Sequence, residues 1–346
     1  MAPVDRLQQR HRVLGFLYAV ARKYADDGGG REAALITYYG FLSIFPVLLL
    51  GVTIVSRVLA ERPELRHELV TAIVPPSLQP TVDDAAAAMP SSPVALVAGL
   101  LGLMLSGSGV VSSAYRTLNH LAAVPYRMRG GIAGRWARVL AALILILAGA
   151  VTVGGLTVVA TAVPGVPGVS RAVAALGSLL VAFVVLLLLG RLLLARPAPV
   201  RALWPAAAPG AVAVTLMLHL GAAVLPGLVR RAGPVYGGFA TVAGMFGLLY
   251  VLSLALVYAA EIAVVRRVGL WPRAIDRRSP TAADARACRL LAREQERLPT
   301  ERIESRLLRP PGPADRTTGP ARPDRMPPWR SRRRGPEAGR TRPPAR

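Results

Sequence analysis

The stretch REAALITYYGFLSIFPVLLLGVTIVSRVL, residues 31–59, decides the fold class of this protein. It carries no charged side chain from Ala33 to Val55. A helix that rises 1.5 Å per residue needs about 20 residues to cross a hydrocarbon core of roughly 30 Å, so this stretch is long enough to span a membrane. Pro46, near its middle, predicts a kink that frees a backbone carbonyl.

The composition of the whole chain is also that of a membrane protein. Hydrophobic residues make up 53% of the 346 residues, charged residues 18%, and the mean hydropathy is +0.44. Five further apolar segments follow the first one. We therefore predict an all-α, polytopic membrane protein whose six transmembrane helices cover about residues 33–58, 93–111, 139–163, 173–194, 210–229 and 239–265.

Basic residues predict the orientation of the spans. When Arg57 and Arg191 at the span ends are counted with the adjacent connections, Lys and Arg number six before span one, five between spans two and three, and three between spans four and five, against three, one and two in the alternate connections. Because basic connections stay in the cytoplasm, both termini are predicted to be cytoplasmic, in a multi-pass protein of the bacterial cytoplasmic membrane. The predicted segments are a cytoplasmic amphipathic lead-in (1–31), the transmembrane domain (32–268), a cytoplasmic helical segment (269–309) and a disordered Arg/Pro-rich tail (310–346).

The net charge of +23 lies partly in the C-terminal region, where residues 266–346 hold 22 arginines against nine acidic residues. Such clusters next to a membrane attract anionic lipid headgroups. A nucleic-acid site would need stacking aromatic residues, and beyond Trp271 this region offers only Trp329. Membrane lipids are therefore the expected partners and no specific nucleic acid is expected. A second copy of the chain and a protein of the cell envelope are the alternatives for a protein partner.

Motifs for catalysis are missing from the sequence. Lys23 is the only lysine and Tyr24 follows it, so no phosphate-binding P-loop is encoded. The single cysteine, Cys288, excludes a disulfide or a multi-cysteine metal site within one chain. The four histidines are scattered without metal-ligand spacing: His11, His67, His120 and His219. We predict a protein without enzyme activity, cofactor or metal site.

Ionisable residues inside the spans are the first candidates for function, because they are costly there. Glu261 lies near the inner end of span six, within reach of Arg191, Arg266 or Arg267. Either an ion pair that fixes helix packing or a proton- or substrate-coupling role would explain it, and the ion pair is favoured. His219 lies near the middle of span five. It could bind a polar headgroup or relay protons, or it could form a hydrogen bond between helices.

Four other residues could contact lipid. Arg116 and Asn119 share a helix face at the cytoplasmic surface, where a lipid phosphate or a helix-end carbonyl could bind them, and the carbonyl is favoured. Tyr38 and Tyr39 could line a lipid-facing cleft, although an interfacial aromatic belt is the simpler interpretation.

Small residues and prolines predict how the helices pack. Gly107 and Gly109 would let a neighbouring helix approach span two closely. The stretch RRAGPVYGG, residues 230–238, predicts a tight turn between spans five and six. The residues assigned to backbone geometry or to a hinge are Pro46, Tyr236, Gly237 and Gly238.

Three stretches together resemble the YihY/BrkB family of bacterial inner-membrane proteins. They are AALITYYGFLSIFPVLLL (33–50), SGSGVVSSAYRTLNHLAAVPYRMR (106–129) and VYGGFATVAGMFGLLYVLSLALVYAAEIAVVRR (235–267). The resemblance covers about residues 10 to 270. The family features that this sequence matches are Tyr38 and Tyr39, Phe45 and Pro46, Asn119, Tyr236 and Gly237, and Ala260 and Glu261.

The resemblance implies a modest set of functions. Members have been called virulence factors, after resistance to serum killing, and ribonuclease BN, a label that was attached to the wrong protein. The resemblance also implies movement of lipids across or away from the inner membrane. We therefore expect a protein that assists lipid movement or envelope homeostasis, and the alternative is a scaffold that acts through its basic tail.

Overall fold

A computed structural model describes residues 8, 10–58, 93–129, 132–162, 167–196, 198–276 and 279–307. No strand occurs among these residues, and the all-α prediction is confirmed. A short 3₁₀ turn at Tyr126–Met128 lies in one connection. The helices are α1 (Arg12–Asp26), α2 (Gly29–Val58), α3 (Pro93–Leu121), α4 (Ile132–Ala162), α5 (Pro167–Leu193), α6 (Val200–Val268) and α7 (Ala282–Glu294).

Six segments in these helices are long and apolar enough to cross a membrane, which confirms the predicted number of spans. Helices α2 to α5 contribute one span each, and α6 contributes two. Span two runs ten residues beyond its predicted end, and span five begins ten residues before its predicted start. The spans, numbered one to six, are Gly29–Leu49, Val97–Leu121, Trp136–Thr157, Ala172–Leu193, Val200–Val224 and Gly237–Val268.

Spans five and six form an antiparallel pair within α6. A Cβ placed on Gly210 would lie 3.4 Å from a Leu256 methyl carbon, and one on Gly221 would lie 3.4 Å from a Leu248 methyl carbon. In a straight helix Gly210 and Leu256 would be about 69 Å apart at 1.5 Å per residue. The chain therefore reverses near Pro234, in the predicted turn, although the helical backbone is continuous from Val200 to Val268.

One end of the bundle collects the connections that the sequence predicts to be cytoplasmic, and we call it the basic end. Lys23 before span one donates to Leu121 O at the end of span two. Arg266, at the end of span six, lies over the ring of Trp204, near the start of span five. The basic end therefore holds α1, α7, residues 122–129, residues 194–196, and the end of each span that joins these segments. Its cytoplasmic location stays a prediction.

Buried side chains hold the spans together in three clusters. One joins spans two, three and four through Val111, Val139 and Leu193. A second joins α1, the end of span six and α7, and a third joins spans one, two and six. On the outer surface large apolar side chains are exposed, among them Leu105 at 78% and Val151 at 75%. Exposed apolar side chains of this kind are expected where helices face lipid.

The segments flanking the spans pack against the basic end. In α1, Ala19 and Val20 are buried whereas Leu14 and Leu17 are exposed, so one apolar face packs on the bundle and another is left for the membrane surface. Thr281 is the N-cap of α7 and forms a reciprocal capping box with Asp284. The predicted tail of residues 310–346 lies outside the described residues, as do residues 1–7 of the lead-in.

Candidate functional site

Lys23, Asp27 and Glu261 form the centre of a buried charged cluster at the basic end. Lys23 Nζ lies 2.8 Å from Glu261 Oε2, contacts Asp27 Oδ2 and donates to Leu121 O at 2.9 Å. The Glu261 side chain is completely buried, and neither of its oxygens accepts a hydrogen bond of good geometry. The sequence predicted Arg191, Arg266 or Arg267 as the partner of Glu261. This prediction was wrong, because the carboxylate pairs with Lys23 of α1 instead.

His120 joins this cluster to the C-terminal segment. Its Nδ1 lies 2.9 Å from Glu294 Oε1, and its Nε2 lies 3.0 Å from Asp27 O. Arg129 Nη2 also contacts Glu294 Oε1, at 2.6 Å. The end of span two, the turn after α1, the connection before span three and the end of α7 are therefore linked by one network of polar contacts.

Arg273 fixes the start of the C-terminal segment. Its guanidinium lies 2.8 Å from Asp26 Oδ2 and 3.0 Å from Asp284 Oδ1. Burial raises the pKa of the Asp284 carboxyl, but hydrogen bonds from the backbone N–H groups of Ala274 and Thr281 and from Arg273 lower it more, so that the pKa lies below its ordinary value. The ionised form of Asp284 therefore stabilises this segment.

An apolar cleft of about 280 Å³ lies beside the charged cluster, mainly between spans two, four, five and six. Its wall is aliphatic, with residues such as Leu189, Ala207 and Ala260. Thr117 and Arg267 are its polar members. Thr117 donates to Glu32 Oε2 at 2.6 Å, whereas Arg267 is exposed and no carboxylate in the described part of the chain pairs with it. A cleft with this lining suits a hydrocarbon chain with an anionic group at one end.

The sequence candidates for lipid contact occupy different places. His219 is exposed, and its Nδ1 lies 2.8 Å from Thr215 O of its own helix. The register of spans five and six places it level with Tyr250, about 16 Å along the axis from Glu261, so the two candidates do not share a site. Tyr38 is 53% exposed, while Tyr39 is half-buried against span two.

Arg116 and Asn119 face different surroundings. Arg116 is exposed, whereas Asn119 is completely buried. Asn119 Nδ2 donates to Tyr115 O at 2.7 Å and to Leu193 O at 2.9 Å, and its Oδ1 accepts from Ala195 N at 2.8 Å. Asn119 thus binds helix-end backbone groups, as favoured from the sequence, and ties the end of span two to the end of span four.

The residues assigned to packing lie mostly at close helix contacts. A Cβ on Gly107 would lie 2.8 Å from a Leu143 methyl carbon, and one on Gly109 would clash with the Tyr39 ring. Helix α2 continues through Pro46, whose ring lies against Gly102 of span two. Gly237 is buried and its carbonyl accepts from Thr241, Gly238 faces open space, and the Tyr236 side chain lies outside the described residues.

Two residues that matter for the site were not among the sequence candidates. Lys23 carried a signal, since it lies four residues after Ala19 and three after Val20, on the apolar face of α1. A charge on such a face needs a buried partner. Arg267 was considered only as a partner of Glu261. Its place in the cleft depends on how spans five and six pack, which local sequence does not specify.

Among the described residues, no group of three or more His, Cys, Asp or Glu side chains could hold a metal ion.

Comparison with known protein families agrees with this architecture. No curated protein and no solved structure shows significant similarity to the chain. Residues 20–279 match the sequence profile of the family described as virulence factor BrkB, and this range includes all six spans and the buried charged cluster. The chain therefore belongs to the YihY/BrkB family of membrane proteins.

Proposed function

We propose that this protein assists the movement of phospholipid at the bacterial cytoplasmic membrane, without catalysing a chemical reaction. The observation that carries the proposal is the apolar cleft between spans two, four, five and six. Its volume of about 280 Å³ is just below the roughly 300–1,000 Å³ of small-molecule pockets. The cleft is therefore sized for part of a lipid, and one acyl chain is the occupant that matches its aliphatic wall.

Arg267 would bind the phosphate of a lipid whose acyl chain occupies the cleft. A guanidinium binds phosphate oxygens through two parallel hydrogen bonds, and Arg267 has no carboxylate partner among the described residues. It is the last residue but one of span six, where the headgroup layer is expected. A lipid whose chain enters the cleft would place its phosphate near this side chain. The buried charged cluster beside the cleft then acts as the rigid support.

A lipid-flux assay in reconstituted vesicles tests the proposal. Ala207→Phe places a large side chain in the cleft from span five, where Ala207 is 3% exposed. We expect this variant to reduce the protein-dependent flux at least several-fold, because the occupant is excluded. Ala222→Phe is the matched control, since it makes the same change at an exposed position of the same span and should keep the flux. Equal flux in Ala207→Phe, Ala222→Phe and the unmodified protein would contradict the proposal.

The scaffold alternative predicts a different outcome. Residues 279–307 pack on the basic end through Asp284, Glu294 and Glu296, so a deletion that removes them would also disturb the bundle. Deleting only residues 308–346 removes the basic tail without these contacts. Retained lipid flux in this variant supports transport through the cleft, whereas loss of the flux would favour the scaffold.

A further inference from the structure

A second cavity, which we call the arginine pocket, lies at the basic end. It is an open pocket with a volume of about 660 Å³, lined by α7, the segment 302–306, the end of span six and the connection before span three. Two glutamates, Glu296 and Glu304, are among its lining residues. The arginines in its wall are Arg127, Arg286, Arg289, Arg293, Arg302 and Arg306.

The glutamates balance only part of this charge. Glu296 Oε2 lies 2.9 Å from Arg127 Nε and 3.7 Å from Arg302 Nη1. Glu304 Oε2 lies 3.5 Å from Arg306 Nη2. Both carboxylates therefore already pair with the arginines nearest to them, and they do not neutralise the arginines of α7.

Three arginines of α7 pair with no carboxylate in the described part of the chain: Arg286, Arg289 and Arg293. Arg286 donates through Nη2 to Gly269 O, but its Nε is buried and donates to no acceptor there. Arg289 Nε donates to Ala285 O at 3.3 Å, within its own helix. A buried donor without an acceptor is costly, and the three guanidinium charges of α7 are balanced by no carboxylate in the described part of the chain.

Helix geometry concentrates these charges. Arg286, Arg289 and Arg293 are spaced by three and four residues, which places them on one face of α7, where like charges repel. The helix dipole explains a basic residue in the last turn, such as Arg293. It does not explain Arg286 and Arg289 in the earlier turns. A bound anion would relieve the repulsion on this face.

The pocket also has an apolar side. Val268 at the end of span six, Leu290 of α7 and Ile303 contribute to its wall. Val268 is the last residue of span six, so the lipid headgroups are expected at the level of the pocket. It can therefore be reached from water and from the headgroup layer.

We propose that the arginine pocket is a binding site for a phosphate group, with Arg286, Arg289 and Arg293 as its ligands. The planar guanidinium matches phosphate oxygens and forms paired, charge-assisted hydrogen bonds with them. The phosphate is carried by an anionic lipid headgroup or by a soluble phosphate compound. The inference is independent of lipid movement through the apolar cleft, since none of the three arginines lines that cleft.

The test measures phosphate binding by the full-length protein. Pyrophosphate is titrated onto the protein in detergent, and in a second arm the protein is placed in nanodiscs of phosphatidylcholine with and without phosphatidylglycerol. The readout is protection of residues 282–306 from amide hydrogen exchange. R289Q/R293Q removes two ligands at exposed positions, and R333Q/R334Q is the matched control because it removes the same charge from the tail.

We expect the control to keep binding and R289Q/R293Q to bind at least about tenfold more weakly, since each charge-assisted hydrogen bond contributes substantially. R289K/R293K, which keeps the charge but loses the planar fork, should fall between them. Protection by pyrophosphate identifies a soluble source, and protection only with phosphatidylglycerol identifies a lipid source. No protection in either arm, or equal protection in R289Q/R293Q and the control, would overturn the proposal.

Discussion

Lys23 is enclosed by three oxygen-bearing groups: the carboxylates of Glu261 and Asp27, with which it forms ion pairs, and the carbonyl of Leu121, to which it donates. Its side chain is 7% exposed and that of Glu261 is completely buried. Burying two such charges is costly, and the cost is offset only while the pair is intact. At the residue scale, the charged contact between α1 and span six thus depends on the Lys23 side chain, in addition to the buried apolar cluster that joins the same elements.

Lys23→Met should lower the stability of the protein by about 3–5 kcal/mol, because it leaves buried carboxylates without their cation. The measurement is thermal unfolding of the purified protein in detergent. Combining it with Glu261→Leu should cost less than the sum of the two single changes. Arg22→Met is the control from the same helix, since Arg22 and Asp26 form a partly exposed pair worth about 0–1 kcal/mol. A loss in Lys23→Met no larger than in Arg22→Met would contradict this account.

The residues of the site were only partly predictable. Glu261 stood out because a carboxylate inside a span is rare. Its partner did not, because Lys23 lies 238 positions away and local spacing favoured the arginines next to Glu261. His219 was prominent for the same reason as Glu261, yet it bonds to its own helix and is exposed. Polarity within a span can be read from sequence, whereas the direction of the side chain depends on how the helices pack.

At the scale of single elements, α7 depends on the ionised Asp284, which caps the helix and contacts Arg273. Asp284→Asn should weaken the docking of α7 by about 1–2 kcal/mol at neutral pH. Amide hydrogen exchange of residues 282–294 would measure this as roughly five- to thirtyfold faster exchange. Exchange in the remaining helices should not change. Unchanged exchange in α7 would show that the cap is not needed.

The effect of Asp284→Asn should depend on pH in a defined direction. The folded-state pKa of Asp284 lies below its ordinary value of about 3.9, so its contribution is complete above that value. The contribution is lost as the pH falls through the lowered pKa, where the carboxyl is protonated. The difference in exchange between the variant and the unmodified protein should therefore disappear toward low pH. A difference that grows on acidification would contradict the assigned direction.

The close packing of spans one and two depends on Gly109. A Cβ at this position would clash with the Tyr39 ring, so Gly109→Ala must displace Tyr39 or separate the two spans. We expect a loss of about 1–3 kcal/mol, measured by thermal unfolding. Gly154→Ala is the control, since a Cβ there meets nothing within 4 Å and alanine favours the helix. Equal stability of the two variants would show that this contact tolerates a side chain.

The elements were more predictable than the contacts between them. Hydropathy was sufficient for the six spans, because the cost of exposing polar backbone to lipid leaves few alternatives to a helix. The reversal between spans five and six was expected from the turn residues, and the contacts of Gly210 and Gly221 place it there. The unbroken helical backbone of α6 was not expected, because Pro234 and the neighbouring glycines are typical of a loop.

At the scale of the whole molecule, the charged contacts between segments are concentrated at the basic end of the bundle. Lead-in, connections and C-terminal segment meet there and bury charges among themselves, while the surface around the spans is apolar. The apolar cleft and the arginine pocket both open near this end. The functional proposals therefore require that the basic end faces the cytoplasm and that the turn between spans five and six faces the opposite side.

Cysteine labelling in intact cells tests this requirement most directly. Cys288 in α7 is the only cysteine, and Cys288→Ser/Arg231→Cys moves the thiol to an exposed position at the other end of the bundle. A membrane-impermeant maleimide should label the thiol at position 231 in intact cells. It should label Cys288 only after the membrane is opened. Labelling of both thiols from the same side of the membrane would contradict the account.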